Sequence, residues 1–180
     1  MSNLSTLTPG TWNVDPSHSS VSFSVRHLMI TKVRGSFRTF SGTVTIASDP
    51  LASTVDATVD MASVDTGDEN RDGHLRTGDF FDVEHHPTMA LRTAAIRQNG
   101  SNFVLDADLT IKGVTKRVAF NLEFEGSSKD PWGNTKAAFT ASAEINRKDW
   151  GLEYNAVLET GGVLIGEQVQ ITLDIQVVKA

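Results

Sequence analysis

Residues 102–125 read NFVLDADLTIKGVTKRVAFNLEFE, and this stretch decides the fold. Phe103, Leu105, Ala107, Leu109 and Ile111 alternate with Asp106, Asp108, Thr110 and Lys112. After Lys112-Gly113 the pattern resumes, with Val114, Val118, Phe120, Leu122 and Phe124 opposite Thr115, Arg117, Asn121, Glu123 and Glu125. Apolar residues at period two, split by a Gly turn, predict two antiparallel strands with one dry face and one wet face. Each arm could reach roughly 35–40 Å at about 3.3 Å per residue, against roughly 17–20 Å for an ordinary strand.

The same period runs outward in both directions. Val21, Phe23 and Val25 alternate with serines. Val44 and Ile46, then Val55, Ala57, Val59 and Met61, alternate with Thr and Asp. Ala137, Phe139, Ala141, Ala143 and Ile145 share one face, as do Val169, Ile171, Leu173, Ile175 and Val177. Turn signals separate the runs: Ser48-Asp49-Pro50, Asn99-Gly100, Asp130-Pro131-Trp132-Gly133-Asn134 and Gly161-Gly162. About eight strands, each with a face to cover, imply an all-β, extended eight-stranded antiparallel barrel closed on itself. No linker divides the chain. Residues 1–10 read as a loose leader and 11–180 as the barrel domain.

One segment breaks the period. Residues 64–92, VDTGDENRDGHLRTGDFFDVEHHPTMALR, carry a short helix near residues 67–77. Thr66-x-x-Glu69 fits a capping box. Asp68, Glu69 and Asp72 suit the positive end of the helix dipole and Arg76 the negative end, with Gly78 as the stop. The segment exits through Phe80-Phe81 and ends at Pro87.

Composition bounds the function. The chain has 180 residues, 39% of them apolar, and a mean hydropathy of −0.19. No run approaches the roughly 18 apolar residues of a membrane-spanning helix. Sixteen basic against 22 acidic residues give a net charge of −6 with no basic block, which argues against nucleic acid as a partner. No signal peptide is visible at MSNLSTLTPG, so a cytoplasmic protein is expected, or a periplasmic or secreted one if a signal has been removed. The absence of cysteine excludes disulfides, thiolate nucleophiles and Cys-based metal sites.

Catalytic signatures are missing. No serine sits in a Gly-x-Ser-x-Gly elbow, and no paired carboxylates lie on an apolar background. His85 and His86 are adjacent, so on a strand they face opposite sides, and no HExxH is present. No metal and no cofactor are expected. Small inward positions (Ala57, Ala107, Ala137, Ala141, Ala143) would leave volume unfilled in a tall barrel. The pattern leaves two readings open: an apolar ligand cavity or a tapered, filled core. His27 continues the inward parity of Val25, as a core histidine or as a polar anchor at a mouth. Arg71, Asp72 and His74 share the helix, where they seat it on the barrel or line the mouth. Leu75, Phe80 and Phe81 fit a lining or lid, with a core plug as the bland alternative.

Several marks, taken in order, resemble the YceI-like family of lipocalin-type, polyisoprenoid-binding proteins. They are Trp12-x-Val14-Asp15-x-x-His18-Ser19, Phe23 to Leu28, Val33-Arg34-Gly35-x-Phe37, and the block from Asp65-Thr66-Gly67 through Arg71-Asp72-x-His74-Leu75 to Asp79-Phe80-Phe81 and Pro87. Leu109 to Val114, Asn146-Arg147-x-Asp149-x-Gly151 and Glu159 to Leu164 follow. The resemblance covers roughly residues 11–178. It implies a lipocalin-like barrel with a long apolar tunnel holding one amphiphile: a polyisoprenoid, an isoprenoid quinone or a fatty amide. It also implies a homodimer.

Inward parity and the resemblance together nominate the ligand-binding set. It comprises Phe23, Val25, His27, Val44, Ile46, Val59, Leu75, Phe80, Phe81, Met89, Leu91, Leu105, Ile111, Val118, Phe120 and Phe139, with Arg71, Asp72 and His74 as polar groups of the mouth. The expected function is binding, storage or transport without catalysis. The alternatives are an enzyme acting on an isoprenoid-type lipid, or a stress-related barrel without a dedicated ligand.

Overall fold

The computed structural model describes residues 4–28, 30–155 and 164–180. The strands are β1 (Gly10–Val14), β2 (Ser20–His27), β3 (Thr31–Phe37), β4 (Phe40–Ile46), β5 (Thr54–Asp60) and β6 (Val64–Asp65). After helix α1 (Glu69–Leu75) come β7 (Thr88–Asn99), β8 (Asn102–Ile111), β9 (Val114–Lys129), β10 (Thr135–Asn146) and β11 (Ile165–Lys179). Every pairing is antiparallel. The order β1-β4-β5-β7-β8-β9-β10-β11 closes through β1 pairing with β11, giving an eight-stranded barrel. The Lys112-Gly113 turn sits where the sequence puts it, with both residues at positive φ. The expected Gly161-Gly162 turn lies outside the described residues.

Strands β2, β3 and β6 extend the wall above the closed ring. β1 and β2 are one long strand interrupted at residues 15–19, since β11 pairs with both. The interruption has a local cause. Pro16 cannot donate to a ladder, and the Asp15 carboxylate accepts from Ser17 N at 3.0 Å and Ser17 Oγ at 2.7 Å, with the His18 ring at 2.9 Å. The next two strands break at the same level. Residues 38–39 separate β3 from β4, and a turn at Met61–Ser63, capped by the Asp60 carboxylate on Ala62 N, separates β5 from β6. Ser63 ties the breaks together by accepting from Thr39 N at 3.1 Å.

Above this level β6 and β7 do not pair, and residues 66–87 fill the gap. The helix there is shorter than the span 67–77 suggests, and its start differs. Asp68, not Thr66, is the N-cap, accepting from Asn70 N and Arg71 N. The capping box is replaced by a tighter arrangement. Thr66 donates from N (2.9 Å) and Oγ1 (2.6 Å) to Asp72 Oδ1, and Arg71 donates to Thr66 Oγ1 (2.7 Å) and Thr66 O (2.9 Å). Arg76 caps the C-terminus in place of Gly78, and its guanidinium reaches Ala62 O and Val64 O. Lys112 donates to Gly78 O at 3.0 Å.

The expected loose leader also needs correction. Residues 4–6 form a single 3-10 turn, and Leu4 and Leu7 are buried at the lower end of the barrel. Trp12, fully buried, donates its indole N–H to Thr8 O at 3.0 Å and holds this segment in place. Two isolated leucines among Ser and Thr have no period, so burial here comes from tertiary contact alone.

Two outcomes follow from this frame. Asp72→Ala leaves the half-buried Thr66 N–H and hydroxyl without their acceptor, so it should lower unfolding stability by about 1–3 kcal/mol, read as a fall in the urea midpoint. The Asp15 carboxyl is held down from 3.8 to about 2, chiefly by the Ser17 hydroxyl and then by His18. A depressed carboxyl stabilises the fold above its unfolded value and ceases to do so as pH falls through its folded value. The melting-temperature gap between wild type and Asp15→Asn should therefore narrow as pH falls from about 4 to 2.

Candidate functional site: a two-chamber interior

The barrel is not filled. A lower chamber of about 150 Å³ is lined by Val44, Ile46, Val59, Leu91, Leu105, Phe120 and Phe139, among others. Its side chains are apolar except Ser41 and Ser53, and Leu4 and Leu7 form part of its floor. An upper chamber of about 310 Å³ is lined by Phe23, Val25, His27, Leu75, Phe80, Phe81 and Ile111, with Arg71 and His74. Val21, Met89 and Ile171 border both chambers and lie between them. Ile165 lines the upper chamber and Ile175 the lower. The stretch of β11 between them spans roughly 34 Å, which a strand tilt of about 40° reduces to about 26 Å along the axis.

The space exists where short side chains face inward. Ala57 and Ala141 line the lower chamber. Ala107 does not, although it is fully buried. It pairs with Val118 across β8 and β9, and both belong to the packed cluster that includes Trp150. Val118, expected in the lining, is thus packed wall. Trp150 fixes this side by donating its indole N–H to Leu109 O at 2.9 Å.

Asp72 is the other expected residue that faces neither chamber. It is buried beneath the helix, where it accepts from Thr66, so it seats the helix on the barrel. Arg71 does both, lining the upper chamber while bonded to Thr66.

The upper end has a polar and aromatic character that inward parity does not report. His74, Phe80 and Tyr154 meet edge to face, with ring centroids 5.1 Å (His74–Phe80), 4.9 Å (His74–Tyr154) and 5.1 Å (Phe80–Tyr154) apart. His74 Nε2 lies 2.8 Å from Asp79 Oδ2. Arg147, only 4% exposed, donates to Gly166 O (2.8 Å) and to the carbonyls of Leu152 and Ile165. Burial pushes its pKa below the usual guanidinium value. Tyr154 and Arg147 escape pattern reading because they reach the chamber from an irregular segment. The Asn146-Arg147 pair was their only sequence signal.

His27 faces the upper chamber. His85 turns away to Asp82, at 2.9 Å, and that contact holds its pKa above the ordinary histidine value. Among the described residues, no three His, Asp or Glu side chains are grouped to hold a metal ion, and no helix is long and apolar enough to cross a membrane. The interior can surround a long apolar chain and present polar hydrogen-bonding groups at one end.

Comparison with known proteins bears on the fold and the family. A UPF0312 protein of Staphylococcus epidermidis is 39% identical over 161 residues, covering 88% of this chain and 92% of that protein. Among solved structures, Burkholderia cenocepacia BcnA superimposes with a TM-score of 0.79 at 22% identity, covering 91% of this chain and 98% of that one. A polyisoprenoid binding domain from Saccharophagus degradans gives 0.71 at 16% identity, covering 96% and 100%. The model of the YceI-like domain matches residues 12–177, nearly the whole barrel, so this chain belongs to the YceI-like domain family.

Proposed function

We propose that this protein binds and holds one long-chain amphiphilic lipid (a polyisoprenoid, an isoprenoid quinone or a fatty amide) without changing it chemically. The observation that carries this reading is the pair of adjacent chambers along the barrel, apolar below and bearing His27, Arg71, His74, Tyr154 and Arg147 above, with Val21, Met89 and Ile171 bordering both. An empty apolar space is costly unless something fills it, because lining atoms lose their dispersion partners. The printed description of the Saccharophagus degradans domain as polyisoprenoid binding supports the same reading. In this arrangement the tail lies in the lower chamber and the polar end rests at the upper mouth. The carrier role needs no reacting group.

Passage through the strand wall would break several backbone hydrogen bonds at once, so the ligand passes through the upper end. Residues 66–87 are the least regular part of that end and form the gate, with Phe80 and Phe81 as its apolar flap.

Mass spectrometry of an organic extract of the purified protein should find a single class of long-chain lipid. Ala141→Phe narrows the lower chamber, at a stability cost of about 1–3 kcal/mol. The folded variant should lose long chains more than short ones, and equal retention of both would place the tail elsewhere. Phe80→Ala with Phe81→Ala should speed lipid exchange measured by fluorescent-analogue displacement. The loss of affinity should stay below the about 3–5 kcal/mol of a core Phe truncation. Hydrogen exchange should show residues 66–87 more protected with lipid than without. A response confined to another loop would move the gate there.

A further inference from the structure

The hairpin of β2 and β3 stands at the mouth of the upper chamber and differs from the rest of the surface. Residues 16–48 contain no Asp or Glu, in a chain of net charge −6. Arg26 pairs directly with Lys32 across the hairpin, and Arg34 pairs with Ser24 one step below, so all three cations share its outer face. Like charges placed opposite each other destabilise a sheet. None of the three has an ion pair among the described residues, and all are exposed.

Elsewhere several cations of the barrel wall are neutralised across neighbouring strands or turns. Arg92 pairs with Asp56, Arg97 with Asp106, Arg117 with Asp108 and Lys136 with Asp130. Of the described carboxylates flanking the hairpin, Asp65 is taken by Arg38 and Glu167 by Lys148. At the tip, Ile30 is 75% exposed and Leu28 39% exposed, with Leu28 at φ 54, a conformation unusual for a large apolar residue. Leu28 N donates to Leu164 O at 2.8 Å, and Leu164, His27 and Arg26 border the upper chamber. The tip and the mouth are therefore one surface.

We propose that the β2–β3 hairpin is a docking device for an anionic lipid bilayer: Leu28 and Ile30 insert at the interface while Arg26, Lys32 and Arg34 meet lipid phosphates, setting the chamber mouth against the membrane. The docking stands on the hairpin alone; its purpose, the transfer of lipid between bilayer and chamber, rests on the carrier reading above. The chemistry favours a bilayer over a protein partner. A polybasic face beside an apolar tip supplies the two complementary attractions of interfacial binding, electrostatic and hydrophobic. A protein is the less apt partner because the cations carry no fixed acceptor geometry.

The test is co-sedimentation of the full chain with vesicles of phosphatidylcholine alone and of phosphatidylcholine mixed equally with phosphatidylglycerol. The wild type should bind the mixed vesicles more tightly, and added salt should weaken this binding. Replacing Arg26, Lys32 and Arg34 by Ser should weaken it roughly fivefold for each cation removed. Ile30→Ser should weaken binding to both vesicle types.

Trp132 is 83% exposed in the β9–β10 turn at the opposite end of the barrel, and Trp132→Ser should leave binding unchanged. Equal binding by wild type and hairpin variants, or its loss in Trp132→Ser, would overturn the proposal. So would light scattering that shows a wild-type dimer made monomeric by Ile30→Ser, since a second copy would then cover the tip.

Lipid content of the same variants, loaded from detergent and measured by mass spectrometry, separates the two ideas. The Ile30→Ser, Lys32→Ser and Arg34→Ser variants, whose side chains border neither chamber, should load like wild type. A wild type that docks but never loads sinks the carrier reading and spares the hairpin, and one that loads but never docks does the reverse.

Discussion

The gap between β6 and β7 is the constraint on which the rest of this structure depends. A closed barrel pairs every edge, but here three adjacent strands break together and the upper wall parts from the ring. The open edge must be satisfied by side chains and turns. Thr66, Asp72 and Arg71 supply one set of bonds, Arg76 reaches two carbonyls from the other side, and Met61 N closes on Pro87 O at 2.9 Å. This closure uses local hydrogen bonds rather than a continuous ladder, so breaking it would leave the ladders of the closed ring paired. The same departure from ring closure makes the upper chamber the larger of the two.

The barrel was legible because period two is a strong signal when it runs through strands as long as β8, β9 and β11. The breaks at residues 15–19, 38–39 and 61–63 were not. Asp15-Pro16 looks like ordinary turn chemistry, and nothing local says that the strand resumes beyond it in the same sheet. At the helix, Thr66 and Asp68 both suit a cap. Asp68 takes the role because Thr66 is engaged by Asp72, a tertiary preference that the sequence of the first turn does not carry. Leu4 and Leu7 were missed for the same reason: burial without periodicity leaves no local trace.

The site was legible as a set of inward positions but not as a depth profile. Parity says that Ala107 and Val118 point in. It does not say that Trp150, held from a later segment, belongs with them to one packed cluster. Conversely, Tyr154 and Arg147 lie in irregular chain, and only tertiary structure brings them to the mouth. Polar residues near a barrel end are therefore the least predictable part of such a site, because the loops that carry them are not bound by strand period.

The floor made by Leu4 and Leu7 has a consequence for the order of events. A bore stopped at one end works like a scabbard: whatever goes in last comes out first. On the carrier reading proposed above, a chain seated in it would thread tail foremost, with its far terminus the most deeply sheathed part. The hilt stays at the rim throughout, within reach of another molecule while the blade remains covered. Withdrawal then proceeds stepwise along one axis, and each further stretch of chain left inside adds to the work of pulling it free.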